Sequence, residues 1–466
     1  MKNEEADLNA ETVIQALGRN LAEELFPAER QLIPNLNDIY ELELAFYENL
    51  ILSDEEMVRN GAFFAQVGDQ YTHHFLMCTG ESLKLPGHSA SRLKSFFEKN
   101  IFRTGYATHG LFPYRGKFHP QMIKGLMNVM GLKPGDTVLD PMMGSGTVLV
   151  EASLMGIRSI GLDASPFCRF MTQTKIDALT MSLTRARDAL VHLEEVFSYF
   201  QKKVGQPLPG SKPSKRHMTE NVMSVMEATA EYIAQQDHRS LKKKDRDTVN
   251  TYHLLLLAYL DSAGYAERSA RKKPLDLFRA ILERYLFVVE KIQKVISEME
   301  IEPAQAEVRE ADARSIFLAD NSIDGILFSP PYSFAIDYLD NDSFHLNFMG
   351  IDSNALRERM IGLRGRNLSE KYEYYKEDMG KVLSECARVL RPGCFCTIIV
   401  GTNSNQLSKV FGVSPDQVQG LHEILIDIGE RFGLTPIKRM SRPITGISNI
   451  MRREYILILQ KGTDLH

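Results

Sequence analysis

Two short stretches of this sequence bring together residue types that can do chemistry. The first runs Val138-Leu139-Asp140-Pro141-Met142-Met143-Gly144-Ser145-Gly146-Thr147 and closes an apolar run with a carboxylate and two glycines. Glycine accepts positive φ and lets the backbone approach a ligand closely. A helix opening at Thr147 turns its free N–H groups toward the same crevice. About twenty residues further on, at the end of the next apolar run, stands Asp163, where a carboxylate can accept hydrogen bonds from ribose hydroxyls. The spacing is neither GxGxxG nor GxxxxGK[ST], and a plain structural turn in an α/β protein is the competing reading. The second stretch is Ser329-Pro330-Pro331-Tyr332, directly after IDGILF. Two prolines fix φ, remove two donors and stop the strand in a stiff bend. Such a bend offers outward carbonyls, a serine hydroxyl and a flat aromatic face. That set suits an amino group on a planar ring: two acceptors for its two hydrogens and a surface to stack on. A proline-rich turn with Tyr332 merely packed is the alternative.

The elements that must position these stretches read as alternating strand and helix. TVLD, the glycine turn, TVLVEASLMG, SIGLD and SPFCRFMTQTKIDAL form a βαβα series, which argues for a parallel sheet with helices on its faces. The rhythm breaks over residues 181–304, which read as a helical insertion carrying a loop, KKVGQPLPGSKPSKR, with the composition of a flexible linker. It resumes at EVREADARSI and ends in CFCTIIVG and REYILILQK, with a basic loop, KRMSRPITGISNIMRREY, leading into the last strand. Four regions follow: a mostly helical 1–104, a first core part 105–180, the insertion 181–304 and a second core part 305–466. The segment THGLFPYRGKFHP before the first motif reads as an ordered loop.

Taken together, DPMMGSGT and SPPY resemble the DNA amino-methyltransferases, which methylate cytosine N4 or adenine N6. The resemblance covers roughly residues 105–180 and 305–461. It implies a class I methyltransferase fold, a doubly wound Rossmann-like α/β sheet, with S-adenosylmethionine as cofactor. It assigns Asp140, Pro141, Gly144, Gly146 and Thr147 to the cofactor turn, Asp163 and Ala164 to the ribose, and Asp312 and Ala313 to the adenine. YRGKFHPQMI is similar to a cofactor-binding element of permuted members, which brings in Lys117 and Phe118. Ser329, Pro330, Pro331 and Tyr332 become the catalytic set, and serine at its first position goes in this family with cytosine N4. Many members carry SPPY before the glycine turn; here it follows, an order that circular permutation accommodates. Adenine N6, guanine N2 of tRNA, and a catalytically silent nucleic-acid binder are the rival readings. Carbon-5 methylation would call for a Pro-Cys motif, and no Pro-Cys dipeptide occurs.

Composition limits the partners. The 466 residues are 44% hydrophobic and 25% charged with net charge −5, so any nucleic-acid surface must be local. Basic clusters lie at 212–216, 242–246, 268–273 and 357–366. The last, RERMIGLRGR, follows SPPY and nominates Arg364 and Arg366 as contacts to a phosphate backbone. Asp337, in DYLDNDSFHLNFMG, is a candidate lining residue of the base pocket. The five cysteines form no CxxC pair and His73-His74 has no acidic partner at ligand spacing, so no metal is expected. The acidic, non-apolar start and the short apolar run at 254–260 predict a cytoplasmic protein with no membrane span. The expected partner is duplex DNA with the target base flipped out, and a separate restriction endonuclease would complete a restriction-modification pair.

Overall fold

Polar residues and prolines set the helix boundaries. Ser53 accepts the Glu56 amide while Glu56 accepts the Ser53 amide, a reciprocal cap. Pro120, Pro166 and Pro274 each stand in the first turn of a helix, where a missing N–H costs no bond. The computed structural model describes residues 25–34, 36, 38–79, 104–114, 116–203, 218–234, 243–268, 273–331, 337–415, 417–444 and 453–463. Tyr332, the acidic start, the basic cluster at 212–216, Lys242, most of the KKVGQPLPGSKPSKR loop and residues 445–452 lie outside them.

The N-terminal region is not only helical. It holds β1 (Arg30–Leu32), α1 (Ile39–Ile51), α2 (Asp54–Asn60), β2 (Phe64–Val67), β3 (Gln70–Tyr71) and α3 (His73–Cys78), with β1, β2 and β3 forming a small antiparallel sheet. Strands of three, four and two residues are too short for an alternating pattern to show.

The main body follows as α4 (Pro120–Val129), β4 (Thr137–Asp140), α5 (Thr147–Leu154), β5 (Arg158–Asp163) and α6 (Pro166–Asp177). The insertion supplies α7 (Thr184–Val191), α8 (Leu193–Lys203), α9 (Met218–Ala234), α10 (Lys243–Arg268) and α11 (Pro274–Glu298). Then come β6 (Ala306–Glu310), β7 (Ile323–Phe328), α12 (Tyr338–Phe348), α13 (Ser353–Arg359), α14 (Leu368–Val389), β8 (Leu390–Gly401), α15 (Ser404–Phe411), α16 (Leu421–Glu430), β9 (Leu434–Pro443) and β10 (Arg453–Lys461). KRMSRP, read from sequence as loop, lies in β9. Two prolines are tolerated there because β9 is an edge strand.

These strands make one seven-stranded sheet in the order β6-β5-β4-β7-β8-β10-β9. It is parallel from β6 to β8, while β10 runs antiparallel to both its neighbours. Numbered from β4, the order is 3-2-1-4-5-7-6, the doubly wound order with a reversed final hairpin, as a class I methyltransferase fold requires. One face is covered by α14 and α16 through Met379, Val382, Leu383 and Leu425; α4 and α5 cover the other through Met122, Ile123, Val148 and Leu149. The insertion helices share a core with Leu111, Phe112 and α6, so they are built into the body of the molecule. Among the described residues, no helix is long and apolar enough to cross a membrane.

Candidate active site

Parallel strands bring their carboxyl ends, and the loops that follow them, to one edge of the sheet. The pairing of Leu139 with Ile326 sets Asp140 at the end of β4 beside the end of β7, where Ser329 and Pro330 emerge. The two motifs, almost two hundred residues apart in sequence, are therefore neighbours at the point where the strand order reverses.

The glycine turn is held from behind. Gly144 and Gly146 have φ of 46° and 74°, a region that favours glycine. The Gly144 amide donates to Asp163 Oδ2 at 2.9 Å, and the Met143 amide to the Leu162 carbonyl at 2.9 Å. From α6, Thr172 Oγ1 donates to the Gly144 carbonyl at 3.1 Å and Lys175 Nζ to the Ser145 carbonyl at 3.1 Å. Burial pushes the Lys175 amine down to about 7. With these carbonyls engaged, the N-terminus of α5 faces the crevice. Sequence reading missed Thr172 and Lys175; their signal is two polar residues three apart on a helix face otherwise lined by Phe167, Cys168 and Met171.

Two carboxylates flank the turn. Asp140 is fully buried; its Oδ1 accepts the Met142 amide at 3.0 Å, while Oδ2 has no partner among the described residues. Burial holds its pKa well above the usual carboxylate range, and Asp163 adds to the effect. Asp163 accepts from Gly144 and, through Oδ1, from the Ser165 amide at 2.8 Å. Burial lifts its pKa to about 6 in spite of these two amides. The Cys168 side chain also hydrogen-bonds Asp163. At the end of β6, burial raises Asp312, but Arg314 more than offsets this and leaves it below the usual range. Arg314 reaches both Asp312 oxygens, at 2.9 and 2.7 Å. Ala313 packs into the core beneath.

The other candidates divide. Ser329 Oγ donates to the Pro330 carbonyl oxygen at 3.4 Å, which sets the two oxygens side by side. Lys117 Nζ donates to the carbonyls of Thr104 and His109, at 2.8 and 2.6 Å, so it ties its own loop together. Phe118 packs against the core under α4. Tyr114, which sequence reasoning passed over, lies within 3.6 Å of where a Gly144 Cβ would be, with its hydroxyl 3.4 Å from Cys168 Sγ. Asp337 caps α12 through Leu339 and Asp340 and pairs with Arg357 at 2.7 Å. Arg364 is drawn to buried Asp378 at 2.6 Å, whereas Arg366 is exposed with no side-chain partner among the described residues. No group of three or more metal-ligating side chains occurs among the described residues.

The residues fit a nucleoside-bearing cofactor: a helix N-terminus, a glycine turn, an acid at the second strand and a buried, unpartnered carboxylate oxygen. Residues 111–245 match the family model described as UPF0020, RMKL-like, methyltransferase domain. A type II methyltransferase of Geobacillus stearothermophilus, M.BsoBI, is 21% identical over 290 residues, 54% of this chain and 54% of its own. M.MjaII of Methanocaldococcus jannaschii is 36% identical over 97 residues, 21% of this chain and 18% of its own. A tRNA (guanine(10)-N2)-dimethyltransferase of Methanothermobacter thermautotrophicus is 44% identical over 52 residues, 11% of this chain and 16% of its own. The chain thus spans about half the length of the first of these relatives and less of the others. A solved SAM-dependent methyltransferase of Methanosarcina mazei aligns with 72% of this chain and 95% of its own at 11% identity. The TM-score of that alignment is 0.31. Residues 111–245 are thus similar to an RMKL-like methyltransferase domain and contribute β4 and β5 to a sheet of class I methyltransferase order, the fold whose cofactor is S-adenosylmethionine.

Proposed function

We propose that this protein transfers a methyl group from S-adenosylmethionine to the exocyclic amino group of a base flipped out of duplex DNA, cytosine N4 above the alternatives. The observation that carries the reading is the placing of Ser329 and the Pro330 carbonyl beside the glycine turn, on adjacent parallel strands. The cofactor supplies an activated methyl group on a sulfonium, so neither a metal nor a covalent enzyme intermediate is called for. Asp163 takes the ribose hydroxyls, and the turn backed by Thr172 and Lys175 presents the α5 N-terminus. Asp312 and Ala313 take the adenine edge, with Lys117 and Phe118 holding the loop before the turn. Ser329 Oγ and the Pro330 oxygen accept the two amino hydrogens and draw the nitrogen toward tetrahedral geometry; Tyr332 stacks on the base. Extrusion of the base costs a few kcal/mol, and orientation of the nitrogen can return several kcal/mol of barrier. Asp337, Arg364 and Arg366 lie on the target side. Serine at the head of SPPY and the names of two relatives, both type II methyltransferases, support DNA and a partner endonuclease.

A second reading is methylation of guanine N2 in tRNA, favoured by the 52-residue similarity to a tRNA dimethyltransferase. Incubation with labelled cofactor and either mixed-sequence duplex DNA or total tRNA, followed by nucleoside mass spectrometry, separates them. N4-methylcytosine in DNA supports the first reading. N6-methyladenine or label confined to RNA overturns the substrate, and absence of label from both favours a silent binder.

A further inference from the structure

The helical insertion holds both halves of the site through one short stretch of α10. On the cofactor side, the Phe112 amide donates to the Tyr285 hydroxyl at 2.9 Å. That hydroxyl donates to Asp261 Oδ2 at 3.1 Å, and Arg284 Nη2 donates to the same oxygen at 2.7 Å. Asp261 lies on α10, and Arg284 and Tyr285 lie on α11. Tyr285 is fully buried and Asp261 nearly so. The Tyr114 amide donates to the Phe112 carbonyl at 3.0 Å, which places the Tyr114 ring beside Gly144. On the catalytic side, α12 follows the SPPY bend and buries His345. His345 Nε2 donates to the Leu260 carbonyl of α10 at 3.3 Å. A Cβ on Gly264 would come within 2.8 Å of that nitrogen, so the helix surface is cut to fit the ring. The two sides meet where His345 stacks on Phe167, centroids 4.8 Å apart, with Phe112 edge-on to both.

We propose that Asp261 and Tyr285 are positioning residues, which fix the 106–114 loop against the glycine turn and so set cofactor affinity from within the insertion. A surface appendage for target recognition alone would not need a buried carboxylate–hydroxyl–amide relay ending at that loop. The relay matters because a buried N–H left without its acceptor costs about 1–3 kcal/mol, enough to let the loop leave its place. The inference rests on the cofactor assignment above.

The test uses the whole protein. Tyr285→Phe removes the hydroxyl with little change of shape, and Asp261→Asn is a second break of the same relay, which also withdraws the charge facing Arg284. Leu425→Ala, in the far core under α16, serves as a control of similar stability loss. The probes are calorimetric affinity for S-adenosylhomocysteine, and amide hydrogen exchange of the 106–114 segment in cofactor-free protein. Tyr285→Phe is expected to raise Kd about tenfold and to speed exchange in 106–114, with kcat at saturating cofactor within about twofold of wild type. Asp261→Asn should move both probes the same way, and Leu425→Ala should move neither. Wild-type affinity and exchange in Tyr285→Phe, or an equal change in Leu425→Ala, overturn the proposal. A wild-type protein that binds no S-adenosylhomocysteine overturns the cofactor reading together with it.

Discussion

Asp163→Asn tests the cofactor assignment and the electrostatics of the crevice in one variant. The carboxylate sits at the end of β5 with one amide on each oxygen, and burial still raises its pKa from 3.8 to about 6. A gap of about two units corresponds to about 3 kcal/mol; the side chain is partly open to solvent, and screening cuts this to about 1–2 kcal/mol. The sign follows from linkage. The folded protein holds this proton more tightly than the unfolded chain, so the contribution is fully present below the ordinary pKa of 3.8. It is lost as pH rises through 6. Asparagine has no proton to lose, so the stability of wild type relative to the variant should fall by about 1–2 kcal/mol between pH 4 and 7. Asparagine also cannot accept from both amides, which adds a pH-independent loss of about 1 kcal/mol. Binding should respond the opposite way. Ribose hydroxyls prefer the charged acceptor, and such bonds contribute about 1.5–3 kcal/mol. Affinity of wild type for S-adenosylhomocysteine should therefore strengthen as pH rises from 5 to 7. The variant should bind at least tenfold more weakly at pH 7.5 with a flat profile. Calorimetry across pH and denaturant midpoints of the cofactor-free protein read the two effects. Unchanged affinity in Asp163→Asn refutes the ribose assignment, and a stability difference that grows with pH refutes the burial argument.

Ser329→Ala should lower turnover at least a hundredfold while leaving S-adenosylhomocysteine affinity within about twofold, since the role proposed for the hydroxyl is to orient the amino group and not to hold the cofactor; equal loss of both in calorimetry and single-turnover assays would remove its catalytic role. Gly146→Ala should cost about 2–4 kcal/mol, because alanine at φ of 74° is strained and its Cβ would stand 2.5 Å from Thr172 Cγ2. A denaturant midpoint equal to wild type would show that the turn relaxes freely. Asp378→Asn should destabilise by about 3 kcal/mol, because it withdraws charge from a buried site shared by Arg314 and Arg364; the same measurement shows otherwise if the midpoint holds.

The sheet was legible because its signals are local. TVLD, SIGLD, IDGILF and REYILILQK are compact apolar runs bounded by turn residues, and each lies within a strand of the structure. The glycine turn and SPP were legible for the same reason: positive φ and missing N–H groups are properties of single residues. Element order then fixed which motif faces which. The small N-terminal sheet and the edge strand β9 were not legible. The first is too short for periodicity, and the second mixes Lys438, Arg439 and Arg442 with two prolines in a way that reads as a loop. Lys438 pairs with Glu43 of α1, a partner that no window around β9 contains, and Arg442 pairs with Glu454 across the β9–β10 hairpin.

The arginines after SPPY show where sequence reasoning loses its hold on function. RERMIGLRGR reads as a patch of free positive charge, yet Arg357 pairs with Asp337, Arg359 with Glu310 and Arg364 with Asp378. Their acids come from the end of β6, the cap of α12 and the middle of α14. A net positive run in the chain becomes, after folding, a set of crosslinks around the crevice. Asp378 is the centre of that set: it is fully buried and holds both Arg364 and Arg314. Arg314 in turn grips Asp312. Charge that reads as substrate-binding is thus largely engaged in fixing one end of the crevice to the other. Drawing Arg364 off buried Asp378 would strand that charge at a cost of about 3–5 kcal/mol, whereas the part-exposed pairs of Arg357 and Arg359 contribute only about 0–1 kcal/mol each, and the exposed Arg366 has no side-chain partner among the described residues.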